Sequence, residues 1–197
     1  MKKYIVEGLG TFALALTVAL SIAGRFDIPT PVLAALVLGL FVYSVGHISG
    51  THINPAVTIG LWSIKKIKNA DALNYIGAQF IGAAAAYFFA SSIGHIGVSA
   101  GVTVSNSLTV LFAEALGTFF FTFGIASVVY GRAPHEASGF VVGLSLLLGI
   151  TIASLIGSNG ILNPAVSLGI GSFGVMYVVG PIIGSILGMK VYMSLED

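Results

Sequence analysis

The chain has no cysteine, so it carries no disulfide framework, no thiol chemistry and no cysteine-ligated metal. Charge is nearly as scarce. Asp, Glu, Lys and Arg make up 8% of its 197 residues, against about 25% in a soluble domain. So bare a surface would not stay dispersed in water, which excludes a soluble enzyme. A disordered chain is excluded too, because disorder needs low hydrophobicity and high charge, and 56% of these residues are hydrophobic. A net charge of +1 gives no field with which to neutralise phosphates, so nucleic acid is not an expected partner. What the chain has in plenty is glycine, 26 residues. That many suits helices packed closely in lipid.

The expected solvent is therefore a lipid bilayer, which a helix spans with about 20 mostly apolar residues. Six stretches qualify: 4–24, 30–49, 72–92, 107–130, 136–156 and 174–193. Two shorter apolar stretches, 54–62 and 163–171, open with Asn-Pro and are too short to cross. The connections are brief, leaving 1–197 as a single membrane domain, with 93–106 the longest loop. Met-Lys-Lys before an apolar run is also the opening of a secretory signal peptide. Glu7 interrupts that run and recurs later in a matching context, so the run is read as the first span.

Basic residues set the orientation. With a cytoplasmic N-terminus, Lys2, Lys3, Lys65, Lys66, Lys68, Arg132 and Lys190 all fall on the cytoplasmic side, leaving only Arg25 outside. Both termini are then cytoplasmic in a multi-pass protein of the cell membrane.

The chain repeats itself. Asn-Pro-Ala-Val-Thr-Ile-Gly at 54–60 returns as Asn-Pro-Ala-Val-Ser-Leu-Gly at 163–169, 109 positions later. Glu-Gly-Leu-Gly-Thr-Phe at 7–12 returns as Glu-Ala-Leu-Gly-Thr-Phe at 114–119, 107 positions later. Two matches at nearly one offset indicate a duplicated half, about 1–100 and about 107–197. Three spans per half is an odd number, so the second half enters the membrane from the opposite side, giving an inverted repeat. The fold class is all-α integral membrane, six transmembrane helices plus two re-entrant half-helices.

Asn-Pro-Ala is a helix start. Asn is a favoured N-cap, and Pro suits the first helical position, where its missing donor costs nothing. Asn54-Pro55-Ala56 and Asn163-Pro164-Ala165 should each begin a half-helix inside the membrane and meet near the midplane. With its oxygen tied to the backbone, each Asn should offer its NH₂ outward as a donor. Two positive dipole ends at that depth suit neutral hydrogen-bonding molecules and repel cations. Among the glycines, Gly180, Gly184 and Gly188 form a small-residue packing face, with Gly77 and Gly82 weaker cases. No histidine pair has metal-ligand spacing backed by further ligands, and no nucleophile triad or phosphate-binding glycine loop appears. No cofactor and no enzymatic activity are expected.

Gly46-His47-Ile48-Ser49-Gly50-Thr51-His52-Ile53-Asn54-Pro55-Ala56-Val57-Thr58, with the second Asn163-Pro164-Ala165, resembles the aquaporin/aquaglyceroporin (major intrinsic protein) family across essentially the whole chain. The resemblance implies a right-handed bundle with one pore per subunit and a homotetramer. It implies that Glu7 and Glu114 hold the backbone of the re-entrant loops, that His52 lines the cytoplasmic vestibule, and that His47 ties down its own loop. His95 and His135 are plain loop histidines.

The departure from the family lies at its outer selectivity filter. An Arg usually follows the second Asn-Pro-Ala; here Val166 stands there. The other positions carried over are Ala34, Gly160 and, on the fifth span, either Ile150 or Thr151. The Asp that marks glycerol channels is replaced by Ser167. The expectation is a passive channel for water and small neutral solutes with a wide filter. Two alternatives stand beside it: a channel that also leaks ions or protons, and a structural membrane protein with a vestigial pore.

Overall fold

The computed structural model describes residues 1–24, 27–93 and 105–196; Arg25 and His95 lie outside them. The described residues form eight α-helices and one short 3-10 turn. In chain order they are α1 (Lys2–Ile22), α2 (Thr30–Ser49), α3 (Pro55–Ser63), α4 (Asn69–Ser92), α5 (Leu108–Val129), the turn His135–Ala137, α6 (Ser138–Ile156), α7 (Pro164–Gly169) and α8 (Met176–Glu196). Six of them are long and apolar enough to cross a membrane. At about 1.5 Å per residue, the 21 residues of α1 match a hydrocarbon core of about 30 Å. The outer surface suits that medium: Leu36, Leu40, Ile81, Phe88, Leu148 and Leu155 are each more than half exposed or nearly so.

The helices pair in two matching sets. α1 packs on α2 and α4, as α5 packs on α6 and α8. α2 and α6 close the bundle against each other. The half-helices cross over: α3 lies on α8 of the other half, and α7 lies on α4 and α1. This is the inverted-repeat arrangement.

Glycines set the closest approaches. A Cβ at Gly184 would collide with the Ala115 carbonyl oxygen, and one at Gly188 with that of Phe119, so α8 meets α5 backbone to backbone. In the first half the equivalent contact is Gly82 against the Gly8 carbonyl. Gly82 is thus as tight as the α8 glycines, whereas Gly77 faces open space.

Both termini, the 64–68 connection and the α5–α6 connection share one face, the terminal face. Lys3 pairs with Asp71 at 2.8 Å, Arg132 pairs with Glu196, and the Tyr43 hydroxyl donates to the Glu136 carbonyl at 3.0 Å. The half-helices differ in length, nine residues in α3 and six in α7. α7 stops early because Gly171 turns left-handed (φ 71°) under the Tyr87 ring.

Candidate functional site: the passage between the half-helices

Both half-helices begin at their Asn. Asn54 Oδ1 accepts from the Ala56 N–H (2.8 Å), and Asn163 Oδ1 accepts from Ala165 N–H (3.0 Å) and Val166 N–H (3.2 Å). The amide nitrogens are not wholly free. Asn54 Nδ2 donates to the Leu162 carbonyl (2.9 Å), and Asn163 Nδ2 donates to the Ile53 carbonyl (3.0 Å). Each loop is thereby tied to the other, and one N–H of each Asn amide is used in the tie. The expectation of a whole NH₂ facing the passage is corrected to at most half of it. The reason is backbone geometry: Ile53 (φ 38°) and Leu162 (φ 54°) both sit in the left-handed region. That conformation costs a non-glycine residue roughly 1–2 kcal/mol.

Two carboxylates hold the strained residues. Glu7 Oε2 accepts from Ile53 N–H (2.6 Å) and Gln79 Nε2 (2.8 Å); its Oε1 accepts from His52 N–H (2.9 Å) and Ser49 Oγ (2.7 Å). Glu114 repeats the plan, with Oε2 taking Leu162 N–H (2.7 Å) and Oε1 taking Ile161 N–H (3.0 Å) and Ser158 Oγ (2.5 Å). Both side chains are fully buried. Four donors match the roughly four acceptor sites of a carboxylate, so Glu7 needs no cation beside it. Ser49 and Ser158 were not singled out from the sequence, although they too stand 109 positions apart.

Ala34, Ile150, Gly160 and Val166 line one cavity of about 280 Å³ together with both Asn side chains. Its walls are otherwise mostly apolar, with Leu38, Phe121 and Leu146 among them. Thr151 is not part of it. Its hydroxyl donates to the Leu147 carbonyl (2.8 Å) on the exposed side of α6. Helix rotation decides the point: Gly143 is pressed against Ala35 of α2, which aims Leu146 and Ile150 inward and turns residue 151 about 100° away.

A second cavity of about 210 Å³ lies toward the terminal face, lined by Val57, Leu61, Ile125, Val142 and Lys66 among others. His52 borders both cavities. Its Nδ1 lies 3.1 Å from Thr58 Oγ1, and its ring meets the Tyr75 ring edge-on at 5.0 Å. His47 has a different fate from the one expected. It is exposed on the last turn of α2, and its ring has no hydrogen-bond partner among the described residues. Its loop is tied down by Glu7, Ser49 and the Tyr75 hydroxyl, which donates to the Ser49 carbonyl (2.8 Å). His135 is exposed in the 3-10 turn.

Comparison with known proteins places the fold in a family. The family model for the major intrinsic protein matches residues 1–192. The chain belongs to the major intrinsic protein family. Aquaporin AqpM of Methanothermobacter thermautotrophicus is 34% identical, covering 100% of this chain and 98% of that protein. Glycerol uptake facilitator protein-like 6 of Lactiplantibacillus plantarum is 36% identical over 95% of this chain and 94% of its own. Among solved structures, the aquaglyceroporin from Plasmodium falciparum superposes with a TM-score of 0.70 at 25% identity, covering 97% of this chain and 94% of that one. This member of the family is an integral, multi-pass membrane channel and not an enzyme.

Proposed function

We propose that the chain is a passive channel for water and small neutral solutes of the glycerol, urea or ammonia kind, with a wide, uncharged constriction. The observation that carries this reading is one cavity holding both Asn amides and the Ala34, Ile150, Gly160 and Val166 set. Asn54 and Asn163 supply one oriented donor each. Val166 supplies neither the donors nor the permanent charge of an Arg. An apolar wall penalises a solute stripped of its hydrogen bonds by about 1–3 kcal/mol for each one lost. A wide wall lets the solute keep some of its water, so width wins and solutes larger than water pass.

Glu7 and Glu114 serve as struts for the loops. His52, at the neck between the cavities, lines the vestibule on the terminal face, which is the cytoplasmic one. The halves, about 1–100 and about 107–197, form a single channel domain, and four copies assemble with one pore each. A vestigial pore would have no use for two capped amides meeting in an open cavity.

The test is stopped-flow light scattering on proteoliposomes under sucrose, glycerol, urea and ammonium gradients. Val166→Arg combined with Ala34→Phe should cut glycerol and urea flux far more than water flux. A wild type that passes only water, with a ratio the double variant leaves unchanged, contradicts the wide constriction.

A further inference from the structure

Glu7 and Glu114 spend their acceptor oxygens inside the loops, and the Val166 constriction carries no charged side chain. Among the described residues that line the two cavities, Lys66 is the one Lys or Arg, none is Asp or Glu, and His52 is the one histidine. Lys66 stands in the connection between α3 and α4, its N–H donating to the Leu61 carbonyl at 2.9 Å. The preceding Lys65 takes a left-handed turn (φ 60°). The Lys66 ammonium lies 4.3 Å from the centroid of the Tyr130 ring, at the end of α5. Tyr130 is itself backed by Tyr192 of α8, with ring centroids 5.8 Å apart. An ammonium over an aromatic face is held there by the ring's quadrupole.

Two carboxylates of this face are already paired. Asp71 is paired with Lys3, and Glu196 with Arg132. Glu136 sits in the exposed 3-10 turn before α6, and Lys66 has no ion-pair partner among the described residues. Lys65, Lys66 and Lys68 are all exposed in this connection; of the three, only Lys66 lines the cavity.

We propose that Lys66 is a further cation barrier of this pore, a positive charge at the terminal mouth added to the two half-helix dipole ends at the midplane. It does electrostatically what an uncharged constriction around Val166 cannot do at the other end. The walls of the smaller cavity are mostly apolar, and low-dielectric walls focus the field of a charge along a cleft. A potassium or hydronium ion in the smaller cavity meets the charge of a residue on its wall, whereas a neutral solute meets no such penalty. The Tyr130 ring keeps the ammonium at the mouth instead of letting it swing into open water. This inference rests on the channel reading above.

The experiment compares wild type, Lys66→Gln, Lys66→Glu and Tyr130→Leu, with Lys65→Gln and Lys68→Gln as controls of equal charge change. Potassium and proton leak of proteoliposomes are followed at 10 mM and 500 mM salt. Water flux in the same vesicles reports whether each variant is folded and open. Lys66→Gln should raise cation leak about tenfold at low salt, and Lys66→Glu more. The difference should shrink to about twofold at high salt, where screening acts over only a few ångströms. Tyr130→Leu keeps the charge but frees it, and should give a smaller rise; it also serves if a Lys66 variant gives no folded protein. An equal rise in Lys65→Gln and Lys68→Gln overturns the assignment in favour of general surface charge. So does an absence of cation leak in every folded variant. A wild type without water flux overturns the channel reading instead.

Discussion

The two re-entrant loops share a plan and differ in filling. On the terminal side, Glu7 gathers four donors, and one of them, Gln79, also donates to Thr58 Oγ1 (3.0 Å) beside His52. α3 runs for nine residues beneath this network. On the opposite side Glu114 gathers its serine and two loop N–H groups at the distances given above, and α7 runs for six. Where the first loop bends through Thr51 (φ 51°), the second bends through Gly160 (φ 64°). A Cβ at Gly160 would lie 2.8 Å from the Ile150 carbonyl, so the missing side chain is also what lets the loop approach α6. Duplication thus conserved the parts that shape the backbone. The buttresses behind the loops diverged: Gln79 and Thr58 extend the network at Glu7, while both cavities keep mostly apolar walls.

The comparison can be broken most severely at the struts. Glu7→Leu should strand Ser49, Gln79 and the N–H groups of His52 and Ile53, at about 1–3 kcal/mol for each unsatisfied group. The variant should fail to give folded protein on size-exclusion chromatography. Glu114→Leu strands fewer partners, so it should fold with a clearly lower melting temperature and reduced flux. If Glu114→Leu kept its melting temperature and lost only transport, the carboxylate would act on the solute and not on the loop.

Next come the amides. Asn54→Leu or Asn163→Leu removes a cap worth about 0.5–2 kcal/mol, a tie between the loops, and the donor facing the passage. Water flux per folded channel should fall sharply in both. A folded double variant with unchanged flux would remove the amides from the transport path. A smaller change is expected for Gln79→Met, which deprives Glu7 of one donor of four. Its melting temperature should drop while the glycerol-to-water ratio holds, because the change lies in the buttress and not in the wall.

The smallest effect separates neighbours on α6. Ile150→Ala widens the larger cavity and should raise urea or glycerol flux relative to water. Thr151→Ala, on the exposed side, should leave the ratio unchanged in the same light-scattering assay. Equal effects from the two would mean that α6 is rotated from the position described.

Six spans, two half-helices and their Asn caps were legible in the sequence because each rests on a local cause: hydropathy over a bilayer's thickness, or a capping residue before a proline. The choice between Ile150 and Thr151 was not. It depends on the rotation of α6, which is set by Gly143 pressing on α2, a contact between residues over 100 positions apart. The cross-loop bonds of the Asn amides were hidden for a similar reason, since left-handed Ile53 and Leu162 have no marker in residue type. His47 misled because motif membership says nothing about which way a ring at a helix end will point. Ser49 and Ser158 could have been found, because they obey the same spacing as the motifs.

The crossed seating of the half-helices has a consequence for how the chain is made. α3 is complete by Ser63, yet the helix it lies on, α8, does not begin until Met176. Asn54 likewise waits for the Leu162 carbonyl, and Ile53 for the Asn163 amide. Through most of synthesis the first half-helix has no finished bed, and its loop keeps an unmet acceptor in a medium without water to satisfy it. The loops can be tied only once residues 162 and 163 are in place, the seat of α3 is complete only when the last helix arrives, and a chain truncated before α8 should pass no solute.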